Sequence, residues 1–295
     1  MLQRAYRALR TLGVGGVLHA ARNRVIPDRL SCFSDVRPLL EAGVGLEIGG
    51  PSAIFSVRGC VPVYPVAGRI DNCNFGSQTV WEGQVVAGDT FVFDATKPAG
   101  RQHVAEAAEL DFIGNGEYDY VLSSHCLEHL ANPLGALKEW KRVLKNEGLL
   151  VLVVPHKDGT FDHRRPISTL EHLIQDYDSG MPESDLTHLE EILALHDLAR
   201  DPEAGGFRAF AERSRRNAEN RCLHHHVFDT RLAVSVIDYM GLQIRAVETF
   251  RPYHIVVVAQ KLRPAQQADN RSFLDSRLQR VRRSPFPSDQ RASAL

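Results

Sequence analysis

The stretch that decides the fold is "YDYVLSSHCLEHLANPLGALKEWKRVLKNEGLLVLVVP", residues 118–155. Its first seven residues are aromatic, branched or small, which predicts a buried strand. Asn132-Pro133 then predicts the start of a helix, because Asn is a preferred N-cap and Pro suits the first helical position. Apolar residues recur at helical spacing as far as Gly148, and "LLVLVVP" follows as a second buried strand. A strand, a helix and another strand in succession predict an α/β fold.

One motif in this stretch suggests a different function. His125, Glu128 and His129 spell H-x-x-E-H, which is the zinc-binding signature of one group of metalloproteases. That chemistry needs both histidines on one face of a continuous helix. Here the motif occupies a single turn between the end of one strand and the start of the next helix. The context therefore argues against a zinc protease and places these residues in a loop.

Outward from this centre, strand-like and helix-like segments alternate from Val44 onward. The pattern predicts a Rossmann-like, doubly wound sheet of seven strands, mostly parallel, with a closing antiparallel hairpin. The other predicted strands are "VGLEIGG" (44–50), "VPVYPV" (61–66), "TFVFDA" (90–95), "LQIRAVETF" (242–250) and "HIVVVAQKL" (254–262). A long polar region interrupts the pattern at about residues 157–228. We expect it to form a helical insertion, called the lid below.

These patterns divide the chain into an N-terminal helical segment (1–40), one α/β domain (41–262) that contains the lid, and a tail (263–295). The tail has few apolar residues, which predicts disorder. The first segment carries five arginines before its first acid, Asp28, and a narrow apolar stripe. It is suited either to weak contact with an anionic membrane surface or to packing on the domain.

The composition excludes several classes of protein. The 35 Lys and Arg residues balance 36 Asp and Glu residues, so no basic field indicates a nucleic-acid partner. The five cysteines form no C-x-x-C pair, which is typical of free thiols in a reducing compartment. Neither a membrane-spanning apolar run nor a secretory signal is present. We therefore expect a cytoplasmic protein, and the sequence leaves its oligomeric state open.

A glycine turn and two acids indicate a nucleotide site. "GLEIGGPSAIF" (45–55) places Glu47 on the first strand and Gly49 and Gly50 at its carboxyl end, the edge where open α/β sheets bind ligands. The turn is neither a G-x-G-x-x-G loop nor a P-loop. Asp71 follows the second predicted strand, and Asp94 lies at the end of the third. Carboxylates at such positions accept hydrogen bonds from ribose hydroxyls or an adenine amino group.

Together, "LEIGGPS", "FVFDA", "YDYVLSSHCLEHLANP", "LGALKEWKRVLKNEG" and "LLVLVVP", in this order, resemble class I S-adenosylmethionine-dependent methyltransferases with a type 11 methyltransferase domain. The resemblance covers roughly residues 40–156 and resumes in the closing strand pair. It implies that residues 41–262 are a methyltransferase domain with S-adenosylmethionine as cofactor. Pro51 departs from the usual G-x-G spacing of the family. The implied contacts are Glu47, Gly49 and Gly50 with the methionine moiety, Asp71 with the ribose, Asp94 and Ala95 with the adenine, and Ser124 and His125 with the methionine end.

The lid holds most of the histidines of the chain. A long insertion above the methyl donor predicts the acceptor pocket, and a histidine there suits removal of a proton from an acceptor hydroxyl. The candidate bases are His125, His163 and His156. Arg164 and Arg165 are suited to clamp a phosphate or carboxylate of the acceptor, or else to pair with nearby acids and hold the lid together.

Residues of the lid also include types that ligate metals, in "HLEEILALHDL" (188–198) and "RCLHHHVFD" (221–229). In an extended segment alternate side chains point to opposite faces, so of the three adjacent histidines only His224 and His226 could share a site without a bend. A hydrogen-bond network is the commoner outcome, and we predict no metal ligands.

The sequence thus predicts a methyltransferase that acts on a small-molecule, sugar or glycolipid-type acceptor, without identifying the methylated atom. Two alternatives stay open at this point. One is a non-catalytic binding module that retains the fold. The other is a metal-dependent hydrolase that uses the histidine-rich insertion.

Overall fold

A single large sheet dominates the fold. The computed structural model of the protein describes residues 28–275 and 284–292, which contain ten strands. The strands are β1 (Val44–Ile48), β2 (Arg69–Asn74), β3 (Gln78–Thr79), β4 (Gly83–Gln84), β5 (Gly88–Phe91), β6 (Gly100–Val104), β7 (Tyr118–Ser124), β8 (Leu144–Pro155), β9 (Gln243–Phe250) and β10 (His254–Gln260).

The α-helices lie before the sheet, between its strands and in the lid. They are α1 (Phe33–Ala42), α2 (Pro133–Val143), α3 (Leu170–Ser179), α4 (Leu189–Leu195), α5 (Phe207–Arg215), α6 (Asn217–Asn220), α7 (Thr230–Tyr239), α8 (Arg271–Leu274) and α9 (Pro287–Ala292). Four of them, α3 to α6, belong to the insertion between β8 and α7. No helix in the described part of the chain combines the length and the apolar character needed to cross a membrane.

Eight of the strands form the sheet, in the order β5-β6-β2-β1-β7-β8-β10-β9. The five strands from β6 to β8 are parallel, and β10 runs antiparallel to both β8 and β9. This arrangement confirms the predicted doubly wound, mostly parallel sheet with a closing hairpin. It has eight strands instead of seven, because β5 adds an antiparallel edge strand to β6.

Two of the predicted strands were wrong. Residues 61–66 form turns that pack on the sheet, with Val61 and Val63 fully buried, and the second strand is β2. Pro62 and Pro65 lack the N–H groups that a central strand must donate, which explains the turn. Residues 90–95 contribute only to the edge strand β5. The third parallel position belongs to β6, whose sequence "GRQHV" has no apolar run.

The central stretch forms the predicted strand, helix and strand, but α2 ends at Val143 and β8 begins at Leu144, whereas the helix was expected to continue as far as Gly148. Asn132 caps α2, and its side-chain oxygen accepts a hydrogen bond from the Gly135 N–H at 2.8 Å. The apolar face of the helix, including Trp140, is fully buried against the sheet. The H-x-x-E-H motif lies in a single 3-10 turn, Leu127–His129, and not in a helix. A second apolar core on the opposite face of the sheet includes Phe55 and Tyr64.

The end of the chain differs from the expected disordered tail. Residues 284–292 form an ordered segment that ends in α9. Phe286 is buried and stacks on the His156 ring, with ring centroids 4.1 Å apart. Ser288 N–H donates to Asp158 at 2.8 Å, so the segment covers the base of the lid. One aromatic anchor thus orders a segment of otherwise polar composition. The basic N-terminal stretch lies outside the described residues, and its membrane contact stays a prediction.

Candidate functional site

A cavity of about 500 Å³ opens at the carboxyl edge of the parallel strands, between the sheet and the lid. Its volume falls within the range of about 300–1,000 Å³ that is usual for small-molecule and cofactor sites. The sheet supplies Gly49, Gly50, Glu106 and Ser124 to one part of its wall. The turn after β7 and the lid supply the rest, including His224. One cavity therefore joins the predicted cofactor edge to the histidine-rich insertion.

The glycine turn after β1 has the conformation that requires glycine. Gly49 and Gly50 both have positive φ angles, 78° and 80°, in the left-handed region. The Gly49 N–H donates to the Cys73 carbonyl at 2.9 Å, which ties the turn to β2. The Gly50-Pro51 peptide bond is cis. The turn thus exposes its backbone to the cavity although its second glycine precedes a proline.

Glu47 supports this turn from the protein interior and does not line the cavity. Its side chain is fully buried, and its oxygens accept hydrogen bonds from the Tyr64 hydroxyl at 2.7 and 2.9 Å. Ser52 N–H donates to the same carboxyl group at 3.1 Å. Burial raises the pKa of Glu47 to about 8, against the opposite effect of the Tyr64 and Ser52 hydrogen bonds. Its contacts are those of a support for the turn.

The two aspartates expected at the nucleotide do not reach the cavity. Asp71 lies within β2, where it accepts from the Arg101 N–H at 2.8 Å and pairs with Arg69 at 3.0 Å. Asp94 lies in the turn between β5 and β6, where its side chain accepts from the Thr96 N–H at 2.8 Å. Because β5 is antiparallel to β6, this turn is at the amino edge of the parallel strands. Asp94 and Ala95 are therefore on the edge opposite to the cavity, and their expected placement was wrong.

Glu106 occupies the position that Asp94 was expected to fill. It follows β6, the third parallel strand, and it lines the cavity together with Ala107 and Phe75. Arg221 from the lid forms an ion pair with Glu106 and also pairs with Glu183 at 2.8 Å. Burial raises the pKa of Glu106, and Arg221 acts in the opposite direction. The acid at this strand end is thus joined directly to the lid.

This strand was missed because its inward-facing side chains are polar. Gln102 of β6 donates from its amide to the Asn72 side-chain oxygen at 2.8 Å, and Asn74 donates to the same oxygen at 2.9 Å. The amides satisfy one another in the interior, so two central strands form without an apolar run. In the sequence, the only signal for this strand end was Glu106, the acidic residue directly after "RQHVA".

His125 ends β7 at the cavity in an uncommon backbone conformation. Its φ angle is 52°, in the left-handed region that few residues other than glycine adopt. Its Nε2 lies 2.8 Å from Nδ1 of His254, and its ring meets the Tyr253 ring edge-on at 5.2 Å. Burial, with the nearby His125, lowers the pKa of His254 to about 3. A neutral His254 therefore fixes the orientation of His125. Ser124 also lines the cavity.

Glu128 is the most unusual group in the cavity wall. Its side chain is 1% exposed, and neither carboxyl oxygen has a hydrogen-bond donor within reach among the described residues. The nearest ring nitrogens are His125 Nδ1 at 3.6 Å and His129 Nε2 at 3.9 Å. Burial alone would raise the pKa of Glu128, but His125, His129 and His224 outweigh it and lower the pKa. The site thus holds a buried carboxylate whose hydrogen-bonding capacity is unused.

His129 presents a second proton acceptor beside this carboxylate. Its Nδ1 lies 3.0 Å from the Leu223 carbonyl, which can only accept, so Nδ1 carries the proton. Burial and the nearby His224 lower the pKa of His129 to about 4, so the ring is neutral near pH 7. Its Nε2 lone pair and Glu128 therefore face the same space. Two adjacent acceptors without a donor between them form a receptor for a hydroxyl group.

His224 joins this group to a buried acid of the lid. Its Nδ1 contacts Asp162, and Asp162 also accepts from the Arg165 guanidinium at 3.1 Å. Burial lowers the pKa of His224, but Asp162 outweighs it and raises the pKa. His224 and Arg165 together lower the pKa of Asp162 to about 2. The Asp162 contact thus favours the protonated form of His224, and His224 in turn contributes to lowering the pKa of Glu128.

Two of the three expected catalytic histidines lie away from the cavity. His163 bonds to Asp197 at 2.9 Å within the lid, and Arg164 pairs with the same acid at 3.3 Å. His156 is fully buried under the C-terminal segment, with Nε2 3.2 Å from Asp289. Neither His163 nor His156 lines the cavity. His125 is the one member of the expected set that the fold brings to the site.

The other charged and histidine side chains of the lid hold it together. Arg165 is 1% exposed and donates to Glu191 at 2.7 Å and to the His224 carbonyl at 2.8 Å. It is thus part of the lid framework and not an acceptor clamp. His224 and His226, the two histidines that an extended backbone would allow to share a site, lie in different groups. His224 joins Glu128 and His129 at the cavity, whereas His226 joins a separate group within the lid.

Comparison with known proteins places the central stretch in a family. The sequence model of a family described as "Methyltransferase domain" matches residues 86–152, from the start of β5 into β8. No curated protein matches the chain.

Three solved structures illustrate the structural similarity. A methyltransferase from Methanosarcina mazei is 17% identical with a TM-score of 0.45, covering 80% of this chain and 99% of its own. One from Mesorhizobium loti is 11% identical with a TM-score of 0.43, covering 78% and 96%. The 1,6-didemethyltoxoflavin-N1-methyltransferase of Burkholderia thailandensis is 12% identical with a TM-score of 0.42, covering 88% and 90%.

The family match confirms the resemblance drawn from the sequence and, with it, S-adenosylmethionine as the cofactor expected for this class. The matched segment carries the turn with Glu128 and His129, and it also carries Glu106. Residues 86–152 thus match a methyltransferase-domain family, in agreement with the resemblance to class I S-adenosylmethionine-dependent methyltransferases.

Proposed function

We propose that this protein is an S-adenosylmethionine-dependent methyltransferase that methylates a hydroxyl group of a small acceptor, such as a sugar or the sugar part of a glycolipid. The observation that carries the proposal is the cavity that joins the glycine turn to Glu128, a buried carboxylate whose oxygens accept no hydrogen bond from the residues that the structure describes. A cofactor edge and a proton-accepting group in one enclosed space are what transfer to a hydroxyl requires.

The cofactor half of the cavity fits a nucleoside with an amino-acid arm. Gly49 and Gly50 leave the backbone open for close approach by the methionine moiety. Glu106 offers carboxylate oxygens to the polar groups of the nucleoside, and Phe75 offers a ring face. Ser124 and His125 lie where the methionine end is expected. When bound, S-adenosylmethionine supplies a methyl group activated by its positive sulfur.

The acceptor half combines polar and aromatic groups. Trp81 lines it and meets the His129 ring edge-on at 5.3 Å, while Phe161 and Arg200 contribute from the lid. Aromatic faces beside carboxylates and imidazoles suit a polyhydroxylated molecule, which needs both an apolar surface and many hydrogen-bond partners. This composition supports a sugar-type acceptor over a wholly apolar one.

Residues of the acceptor half can accept the proton that the acceptor hydroxyl loses. Glu128 is ionised and His129 is neutral near pH 7, so each accepts a hydrogen bond from an acceptor hydroxyl. Transfer would form a bond between the acceptor oxygen and the methyl carbon and break the bond from that carbon to sulfur, with S-adenosylhomocysteine as the leaving product. Glu128 would take up the hydroxyl proton, and His224 would lie beside it as the charge on the carboxyl group changes. His125, held by His254, positions the acceptor beside the cofactor edge. Glu128 thus replaces His163 and His156 as the proposed base, with His125 as a positioning residue.

Composition supports the proposed setting. The five cysteines are free, as expected for a protein that works in the reducing cytoplasm. The balanced charge offers nothing to attract a nucleic-acid substrate.

The test measures S-adenosylhomocysteine release from S-adenosylmethionine across a panel of sugars, glycolipids and phenols. Wild-type protein is expected to release product with at least one class of hydroxylated acceptor. Glu128→Gln is expected to lower the turnover rate by about 100-fold or more while cofactor affinity is kept. The matched control is Glu190→Gln, since Glu190 is exposed on α4. Binding without transfer to any acceptor would instead favour a non-catalytic module.

A further inference from the structure

Four side chains of the lid converge on one point, away from the cavity. His172 and Asp176 lie one turn apart on α3, His188 immediately precedes α4, and His226 lies before α7. Their three ring nitrogens and one carboxylate oxygen all lie within 4.8 Å of one another. Residues from three separate segments of the lid thus present four potential ligand atoms to a common centre.

Three of the six distances among these atoms are close to those of a tetrahedral metal site. His172 Nε2 lies 3.0 Å from His188 Nε2 and 3.3 Å from Asp176 Oδ2, and His226 Nε2 lies 2.9 Å from the same oxygen. Four ligands at about 2.0–2.1 Å from a tetrahedral zinc ion are separated from one another by about 3.3 Å. The measured separations are close to this value, so small outward movements would accommodate an ion.

Hydrogen bonds alone satisfy this group poorly. A neutral imidazole carries one proton on its two nitrogens, so each Nε2 donates at most one hydrogen bond. Asp176 Oδ2 accepts from His226, but His172 Nε2 faces both Asp176 and His188. If His172 Nε2 carries a proton, Asp176 and His188 have to share its single hydrogen bond. If His188 Nε2 carries the proton instead, the lone pair of His172 Nε2 faces the Asp176 carboxylate oxygen. A cation at the centre would instead satisfy all four lone pairs.

The chemistry of the group selects the ion. We propose that His172, Asp176, His188 and His226 bind a zinc ion that holds the lid in shape. Three imidazoles and one carboxylate are ordinary zinc ligands, and a set of four protein ligands is typical of structural rather than catalytic zinc. Asp176 and His226 are buried, and His172 is 33% exposed, which leaves a route for the ion.

An ion bound at this site would also affect the cavity, because the two lie close together. His226 follows His224 by two residues, and His224 lines the cavity beside Glu128. The His226 N–H also donates to the Glu128 carbonyl at 3.3 Å. An ion on His226 would therefore fix the segment that forms one wall of the acceptor pocket. The site does not depend on which acceptor is used, or on whether methyl transfer takes place.

The test uses the full chain, stripped of metal with a chelator and then titrated with zinc. Wild-type protein is expected to retain one zinc per chain after gel filtration, measured by elemental analysis. Cobalt in the same site is expected to show the intense visible absorption of tetrahedral coordination. His188→Ala and Asp176→Asn are each expected to weaken zinc binding on the order of 100-fold or more, because each removes one of four ligands. Asp176→Asn keeps an acceptor for His226, so the fold is retained.

Two control variants make the result specific. His163→Ala removes a lid histidine that bonds to Asp197 and lies outside the four-residue group, so its zinc affinity is expected to match the wild type. Glu128→Gln alters the other group of possible ligands, Glu128 with His129 and His224, and is expected to keep its zinc. The proposal is overturned if folded, metal-free wild-type protein takes up no zinc. It is also overturned if Glu128→Gln loses the ion while His188→Ala and Asp176→Asn keep it.

Discussion

Gly50 packs directly on the carboxyl group of Glu47, so closely that a Cβ atom at position 50 would lie well inside 3.0 Å of Glu47 Oε1. Gly50 also has a φ angle of 80°. The two residues together shape the turn at the cofactor edge: the buried acid supports the backbone, and the glycine leaves room for it.

The first prediction follows from this contact. Gly50→Ala is expected to destabilise the protein by about 1–3 kcal/mol, because alanine is strained in the left-handed region and its methyl group meets Glu47. It is expected to weaken S-adenosylhomocysteine binding on the order of 10-fold or more. Urea unfolding and calorimetry measure the two effects. Gly68→Ala is the control, since a Cβ atom there makes an ordinary contact of 3.5 Å. Equal behaviour of the two variants would contradict this account of the turn.

A second prediction concerns pH. The pKa of Glu47 is raised from 4.5 to about 8 in the folded protein, so the folded state holds a proton that the unfolded chain has released. The contribution of Glu47 to the free energy of unfolding is therefore fully present below about pH 4.5, and it is lost as the pH rises to about 8. Glu47→Gln removes this contribution to the pH dependence.

The measurement compares urea unfolding of wild type and Glu47→Gln at about pH 5 and about pH 8.5. From the lower to the higher pH, the wild type is expected to lose stability relative to the variant. Glu109→Gln, which changes an exposed acid, is expected to follow the wild type. Parallel pH profiles for wild type and Glu47→Gln would show that the buried carboxyl group does not titrate in this range.

A third prediction distinguishes the proposed nucleotide ligand, Glu106, from the one expected from the sequence, Asp94. Glu106→Ala is expected to weaken S-adenosylhomocysteine binding on the order of 10-fold, the usual effect of losing one hydrogen bond to a charged group. Asp94→Ala is expected to leave binding unchanged, because Asp94 lies at the opposite edge of the sheet. Calorimetric titration of both variants measures the effect. The reverse pattern would restore Asp94 as the nucleotide ligand.

A fourth prediction concerns the C-terminal segment. Phe286→Ala is expected to lower the free energy of unfolding by about 3 kcal/mol, because it removes a buried ring stacked on His156. Phe207→Ala is the control, since Phe207 is 60% exposed on α5 and such a change typically costs less than about 0.5 kcal/mol. If the two variants unfold at the same urea concentration, the segment does not pack on the lid in solution.

The sequence predicted the fold best where the buried side chains are apolar. β7, α2 and β8 carry uninterrupted or periodic apolar residues, and each formed as expected. β2 and β6 were misplaced because Asn72, Asn74 and Gln102 satisfy one another across the sheet. Residues 61–66 carried the strand signal instead, because a buried loop is as apolar as a strand. An error in two strands then moved the predicted nucleotide ligand from Glu106 to Asp94.

The histidine-rich lid shows what a single sequence does not reveal. Its histidines separate into groups that only the tertiary fold defines: His224 at the cavity, His226 in the four-residue group of the lid, and His163 on Asp197. Adjacent positions in the chain thus serve different sites. Spacing along the sequence does not determine these groups, because Asp176 and Asp162, the partners of His226 and His224, lie 50 and 62 residues away along the chain.

The central claim is that the cavity at the carboxyl edge of the sheet binds the cofactor of this family. The most direct measurement is calorimetric titration of the purified chain with S-adenosylhomocysteine. The account predicts one site per chain with a dissociation constant near micromolar, or about 8 kcal/mol of binding free energy. Absence of binding by well-folded protein would contradict the account.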